Sequence, residues 1–188
     1  MLDRTLGAAD FAAVLLRLPE LANAAQLDYL KVLAPGVQEK GVALLLDGDP
    51  GLAIRAAADG AHLSGVDALR AALPSLKPNH IAGCGRLATR HDAMVAGELG
   101  ADYVMFGEPD GAGQRPSLSA ILERVAWWAE LFELPCVGFA GALEEVEPLA
   151  RAGADFIAVG DCVFSDARGC VAAAAEVARR VTDAEVPR

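Results

Sequence analysis

The chain has 188 residues, with 16 Lys+Arg against 26 Asp+Glu, a formal net charge of −10 and 54% apolar residues, 39 of them alanine. That length suits one domain with a substantial core and is short for two, and the apolar content excludes a disordered chain. The acidic balance argues against a nucleic-acid partner, no apolar run reaches the ~20 residues that span a bilayer, and the start MLDRTLGAADF has no apolar export segment. A cytoplasmic protein without nucleic-acid or membrane partners is expected.

Residues 3–9 read as the tail of a helix running straight into a first strand at 12–16. Helix 24–39, strand 42–46, helix 51–58 and strand 60–63 follow, then helix 66–72 and strand 80–83. The order repeats in helix 90–99, strand 103–106, helix 118–132 and strand 136–139. Helix 143–152, strand 156–159 and helix 166–181 close the chain. Short, continuously apolar strands between longer amphipathic helices define β-α-β units and a parallel sheet buried on both faces.

Seven strands are readable, whereas a (β/α)8 TIM barrel needs eight. The expected architecture is therefore α/β: one TIM-barrel domain over 1–188, N-terminally short and lacking its first β-strand. A doubly wound open sheet is the alternative. An unclosed sheet exposes edges, which a homodimer partner would cover. Two phrases repeat before strands, Gly100-Ala101-Asp102-Tyr103-Val104 and Gly153-Ala154-Asp155-Phe156-Ile157, and Ala57-Ala58-Asp59-Gly60-Ala61-His62 is a looser copy. The glycine is expected to end a helix in the left-handed conformation. The aspartate is expected to bond the turn backbone, a structural role at the strands' N-terminal ends. Cys84, Cys136, Cys162 and Cys170 lack metal or disulfide spacing and read as inert buried thiols. His62 reads as a core residue and His80 as exposed. Trp127 and Trp128 point about 100° apart on a helix, one packing inward and one covering the surface.

Five motifs in register carry a resemblance. Val14-Leu15-Leu16-Arg17 resembles a strand ending in Gln-Leu-Arg-x-Lys, and the run LLLDGDPGLA from Leu44 to Ala53 resembles Leu-Ile-Asn-Asp-Arg-x-Asp-Leu-Ala. GAHLSGVD, from Gly60 to Asp67, resembles Gly-Val-His-Leu-Gly-Gln-x-Asp. GADYVMFGEP, from Gly100 to Pro109, resembles Gly-Ala-Asp-Tyr-Val-Gly-Phe-Gly-Pro, and GADFIAV, from Gly153 to Val159, resembles Gly-Ala-Asp-Gly-Val-Ala-Val. Together they resemble the thiamine phosphate synthase family and its thiazole tautomerase relative, both compact (β/α)8 barrels. The resemblance implies that a pyrimidine diphosphate is coupled to a thiazole phosphate with Mg²⁺: pyrophosphate departs and the thiazole nitrogen attacks the pyrimidine cation. Such chemistry needs positive charge around the leaving group and backbone N–H groups cupping the thiazole phosphate at the last two strand ends.

Carried over residue by residue, Arg17 keeps the family's pyrophosphate arginine, while the lysine two positions on is Pro19. Asp67 matches an Mg²⁺ ligand, with capping of the following helix as its alternative role. Ungapped alignment sets Asp47 on the family's Asn and Gly48 on its ligand Asp; a slip of one residue makes Asp47 or Asp49 the substitute. Gly85 or Arg86 replaces a phosphate-facing Ser. After Phe106-Gly107 the family's Thr-x-Thr-Lys segment becomes EPDGAGQRP, placing Glu108 and Asp110 where an anion binds and offering Arg115 as the replacement cation. The family's Gly-Gly reads Ala140-Gly141 and its Val-Ser reads Gly160-Asp161. An ionised Asp161 is expected to cap the helix with its own carboxylate and to repel phosphate. The tautomerase's histidine aligns with Ala88 or its neighbour, and His91 falls inside a helix, so tautomerase chemistry is not implied.

In a TIM barrel these strand-end positions meet at one mouth. The expected function is thiamine phosphate synthesis, weakened or lost through the missing lysines. Arg17 and Glu108 are the candidate catalytic residues and Asp67 the metal ligand. Asp47, Gly85, Arg86, Arg115, Gly141, Gly160 and Asp161 are the candidate substrate and phosphate contacts. Two other readings stay open: a non-catalytic barrel that binds a thiamine-like ligand, and an enzyme for a less anionic substrate with Glu108 or Asp161 as general base.

Overall fold

Each apolar run expected from the sequence forms a strand, and the connecting segments form the expected helices. The structure, a computed structural model, describes residues 1–18 and 23–185; Pro19 lies outside them. In chain order, α1 (Leu2–Leu6), β1 (Ala13–Leu16), α2 (Asn23–Gln38), β2 (Ala43–Asp47), α3 (Pro50–Arg55) and β3 (Gly60–Ser64) come first. Then follow α4 (Val66–Leu76), β4 (Ile81–Gly85), α5 (Arg90–Leu99), β5 (Tyr103–Phe106), α6 (Leu118–Leu131) and β6 (Cys136–Ala140). A 3-10 turn (Leu143–Glu145), α7 (Val146–Arg151), β7 (Phe156–Val159), α8 (Asp161–Phe164) and α9 (Cys170–Glu185) complete the described chain.

The chain forms two compact units, one of Phe11–Asp102 and one of Met1–Asp10 with Tyr103–Arg188. In the first, β1, β2, β3 and β4 pair in parallel in that order, with Ala13 opposite Ala43, Leu45 opposite Gly60 and Gly60 opposite Ile81. In the second, β5, β6 and β7 pair in the same way, with Val104 opposite Cys136 and Val137 opposite Phe156. Neither unit reverses its strand order, so the doubly wound alternative, which needs such a reversal, is excluded. The fold is α/β of the TIM-barrel class, with seven strands among the described residues. Residues 3–9 add no eighth strand: α1 buries Thr5 and Leu6, and Thr5 Oγ1 donates to Cys170 Sγ on α9 at 3.0 Å. No helix among the described residues is long and apolar enough to cross a membrane.

Burial explains the pattern. In the first unit Leu44, Leu46, Ala61 and Ala82 on the strands and Leu52, Leu69 and Leu76 on the helices are all but inaccessible to solvent. In the second unit α6 turns Ile121, Val125 and Trp128 inward at helical spacing. Trp128 stacks on Phe132, meets Phe106 edge-on and donates Nε1–H to Leu134 O at 2.7 Å, while Trp127 stays half-buried. No disulfide joins the cysteines; Cys84, Cys136 and Cys170 are buried and Cys162 is half-buried. Burial pushes the Cys136 thiol up to about 11, so it is inert. His62 is buried, and His80 is half-buried rather than exposed.

The three repeated phrases are strand clips. Asp59 donates its N–H to Leu44 O at 2.8 Å and takes Leu44 N–H on Oδ2 at 2.7 Å. Asp102 exchanges the same pair of bonds with Ala82, and Asp155 with Cys136. Each carboxylate thus grips the opening of the neighbouring strand rather than its own turn. The helix-ending residues are left-handed, Gly100 at φ +97° and Gly153 at +96°, and Ala57 holds the same conformation at φ +54° in the looser copy. Asp59→Ala is expected to strand the buried Leu44 N–H and also the Gln38 amide that bonds Asp59. The predicted loss is about 1–3 kcal/mol, read as a lowered midpoint in urea unfolding; an unchanged midpoint would refute the clip.

Several helix boundaries differ from the sequence reading: the expected helix 51–58 ends at Arg55, and the expected helix 143–152 divides into a 3-10 turn and α7. Helix α4 runs past the predicted end at Ala72 to Leu76 and contains Pro74, which has no N–H to bond the carbonyl of Arg70. The expected helix 166–181 does not start at Asp166. Asp166 Oδ1 accepts the N–H of Arg168 at 2.8 Å, Gly169 is left-handed at φ +90°, and α9 begins at Cys170.

Candidate functional site

In the first unit, parallel pairing in register delivers the polar residues to successive C-terminal strand ends. Arg17 follows β1 and Asp47 ends β2. Arg17 Nε donates to Asp47 Oδ2 at 2.6 Å, with the arginine side chain 63% exposed and the aspartate 12%. Asp47 therefore anchors, through Nε, an arginine whose side chain is otherwise largely exposed. Gly48 adopts φ +84°, a backbone that disfavours the family's aspartate at that position. Asp49 is committed elsewhere: its Oδ1 takes the N–H of Leu52 at 2.7 Å and caps α3. Of the two residues that a one-position slip offers, Asp49 is engaged through Oδ1 as the cap of α3 and Asp47 through Oδ2 in the pair with Arg17.

Asp67 does not cap α4. The capping position is Gly65, at φ +86° with no side-chain bond, and Asp67 lies exposed in the first turn. Gly65 N–H donates to Gly85 O at 2.8 Å, tying the loop before Asp67 to the end of β4. Gly85 is buried there, and Arg86 beside it is exposed and left-handed at φ +51°. An L-residue in that region costs about 1–2 kcal/mol, and such strain gathers at functional sites. Among the described residues no three His, Cys, Asp or Glu are grouped to hold a metal ion. Mg²⁺ carried in with phosphates needs only one or two protein carboxylates, water filling the rest, and an exposed Asp67 fits that demand.

The second unit holds the other candidates. Gly107, at φ +92°, turns the chain out of β5 into Glu108, which is half-buried with Oε2 shielded from solvent. Asp110 builds its own loop, taking the N–H groups of Ala112 at 2.8 Å and Gln114 at 2.9 Å on Oδ1. Arg115 is tied down on every side. Its Nε donates to Gly107 O at 3.1 Å, Nη2 to Phe139 O at 3.0 Å and Nη1 to Glu145 Oε2 at 2.7 Å, and the guanidinium lies over the Phe139 ring. The same Glu145 oxygen accepts Gly141 N–H at 2.8 Å. A Cβ at Gly141 would lie 2.0 Å from Arg115 Nη1, so any side chain there would have to displace the guanidinium. After β7, Gly160 occupies the capping position of the four-residue α8, and Asp161 lies exposed in the first turn with no capping bond. The expectation that Asp161 caps with its own carboxylate is therefore corrected.

Glu145 was not singled out from the sequence. Within 143–152, read as one helix, it resembles Glu144 and Glu147, which sit on the same polar stretch. Only the 3-10 turn at Leu143–Glu145 swings it back toward Gly141. The usable signal was a carboxylate four positions after a strand-end glycine.

Parallel β/α order with charged and glycine residues set at strand C-terminal ends defines a TIM-barrel-class protein whose ligand chemistry belongs to those ends. The family described as thiamine monophosphate synthase matches residues 2–163, and the chain belongs to that family. It is 41% identical over 182 residues to the thiamine-phosphate synthase of Rhodospirillum centenum (strain ATCC 51521 / SW), covering 95% of this chain and 87% of that one. It is 35% identical over 179 residues to the thiamine-phosphate synthase of Hyphomonas neptunium (strain ATCC 15444), covering 92% and 81%. Among solved structures, thiamine phosphate pyrophosphorylase from Pyrococcus furiosus superposes with a TM-score of 0.79 at 20% identity, covering 98% of this chain and 89% of that one. At that identity the match speaks to fold alone.

Proposed function

We propose that the chain is a cytoplasmic thiamine phosphate synthase of thiamine biosynthesis, acting on small phosphate esters. One observation carries the reading: Arg17, Asp47, Asp67 and Arg86 stand at the ends of β1, β2, β3 and β4 in the order of the family's motifs. In the reaction the carbon–oxygen bond to the diphosphate breaks, pyrophosphate leaves with the electron pair, and the thiazole nitrogen forms the new carbon–nitrogen bond. Arg17, held at Nε by Asp47, presents its remaining N–H groups to the leaving pyrophosphate. Arg86 supplies a second cation, a function the neutral Pro19 cannot perform. Asp67 holds Mg²⁺, which when bound neutralises charge developing on the diphosphate. Within the second unit, the backbone N–H of Gly141 and the backbone at Gly160 are the phosphate contacts, with Arg115 as the cation beside Gly141 and Asp161 following Gly160. Within the first unit Gly85 is the phosphate contact next to Arg86.

A second reading, a barrel that binds a thiamine-like ligand without turnover, is favoured by one contact: Arg115 is already neutralised by Glu145. If the substrate is less anionic, Glu108 is the carboxylate placed for proton transfer. Incubation with pyrimidine diphosphate, thiazole phosphate and Mg²⁺ separates these readings. Thiamine phosphate and pyrophosphate are expected in equal amounts, at a rate reduced about 10²-fold for each lost cation contact. Binding of thiamine phosphate without any product would assign the second reading.

A further inference from the structure

Gly141 N–H and the Arg115 guanidinium together are what a phosphate oxygen seeks: a backbone donor at a strand end beside a forked cation. In this chain both already hold an anion. One oxygen, Glu145 Oε2, takes Gly141 N–H at 2.8 Å and Arg115 Nη1 at 2.7 Å, with the side chains of Arg115 and Glu145 only 21% and 18% exposed. The bonds from Arg115 to Gly107 O and Phe139 O fix the guanidinium independently of the carboxylate. Removing Glu145 therefore leaves the cation in place.

We infer that Glu145 is a built-in phosphate surrogate: substrate phosphate binds at Gly141 and Arg115 by displacing the Glu145 carboxylate, so Glu145 sets the affinity of this subsite for anions. The inference deepens the proposed function and rests on its phosphate role for Gly141. Displacement is an exchange of one anion for another on the same donors. Two anions would repel at this range, so the weaker one must leave. A carboxylate tethered four residues from Gly141 competes with free phosphate at high effective concentration, which makes the subsite selective for ligands anchored elsewhere as well. Glu145 is thus a specificity-determining residue for the anion rather than a catalytic one.

The test uses the full-length chain and inorganic phosphate, with affinity from calorimetry and the Gly141 amide followed by ¹⁵N NMR. Glu145→Gln keeps an acceptor for Gly141 N–H and removes the charge. It is expected to bind phosphate about tenfold more tightly than the wild type, the scale of one charge-assisted contact, and the Gly141 amide is expected to shift on titration in both proteins. Equal or weaker binding by Glu145→Gln would overturn the inference, as would a Gly141 amide that stays unmoved at saturation. Glu145→Asp, which keeps the charge but shortens the reach, is expected to give an intermediate gain and serves if the glutamine variant does not fold. Tighter phosphate binding by the variant with no thiamine phosphate from any form would remove the synthase reading and leave the displaced carboxylate standing. Synthase activity with unchanged phosphate affinity would remove the inference alone.

Discussion

Gly60→Ala is expected to lower the thermal midpoint by about 10 °C or to prevent folding. Gly60 opens β3 opposite Leu45 on one side and Ile81 on the other. A Cβ there would lie 2.1 Å from Ile81 O and 2.7 Å from Ile81 C. These are backbone atoms of a paired strand, so relief requires opening the β3–β4 ladder rather than rotating a side chain. Ordinary overpacking costs about 1–3 kcal/mol, and a backbone collision lies at or beyond the top of that range. At about 2–4 °C per kcal/mol for a chain of this size, the midpoint shift follows. Gly36→Ala is the control: it lies inside α2 with nothing within 4 Å of a Cβ, and alanine there is expected to be neutral or stabilising by up to about 1 kcal/mol. Circular dichroism melts of both variants decide the matter; a Gly60→Ala midpoint within 2 °C of wild type would refute the argument.

What the sequence carried legibly was whatever depends on local chemistry repeated along the chain. Strands such as Tyr103–Phe106 fall where continuous apolar runs place them, because a strand buried on both faces leaves no polar position; Phe156–Val159 carries an equally apolar run although Phe156 is exposed and the rest half-buried. The three aspartates before strands were legible as structural because the phrase repeats, although the partner of each lies on the neighbouring strand, which spacing along one strand does not reveal. The same limit governs the site. Arg17 and Asp47 were each identified, yet their ion pair depends on the register of β1 against β2. Asp67 and Asp161 both fall beyond the capping positions: Gly65 turns the chain into α4 two residues before Asp67, and Gly160 turns it into α8 one residue before Asp161. Glu145 was missed because a 3-10 turn and an α-helix share the same composition and differ in where their side chains point, so only its spacing from Gly141 marked it.

Asp67→Asn is expected to reduce kcat/KM for thiamine phosphate formation by about 10²–10³-fold while leaving the thermal midpoint unchanged. The separation of the two readouts follows from the structure. Gly65 occupies the capping position of α4, and its own N–H is satisfied by Gly85 O. The Asp67 side chain makes no capping bond and lies exposed in the first turn, so the fold draws at most the ~0.3–1 kcal/mol of a carboxylate near a helix N-terminus. Asparagine keeps the size and an oxygen donor but loses the charge that a hard divalent cation requires. The proposed role therefore predicts a raised Mg²⁺ requirement in the variant, partly restored by excess Mg²⁺. Arg17→Ala is expected to behave differently: it loses a comparable part of the rate but is not rescued by Mg²⁺, because it removes a contact to the leaving pyrophosphate rather than to the metal. Equal Mg²⁺ dependence in Asp67→Asn and wild type would dismiss Asp67 as the ligand. A fall in midpoint that tracks the fall in rate would return it to a purely structural role on α4.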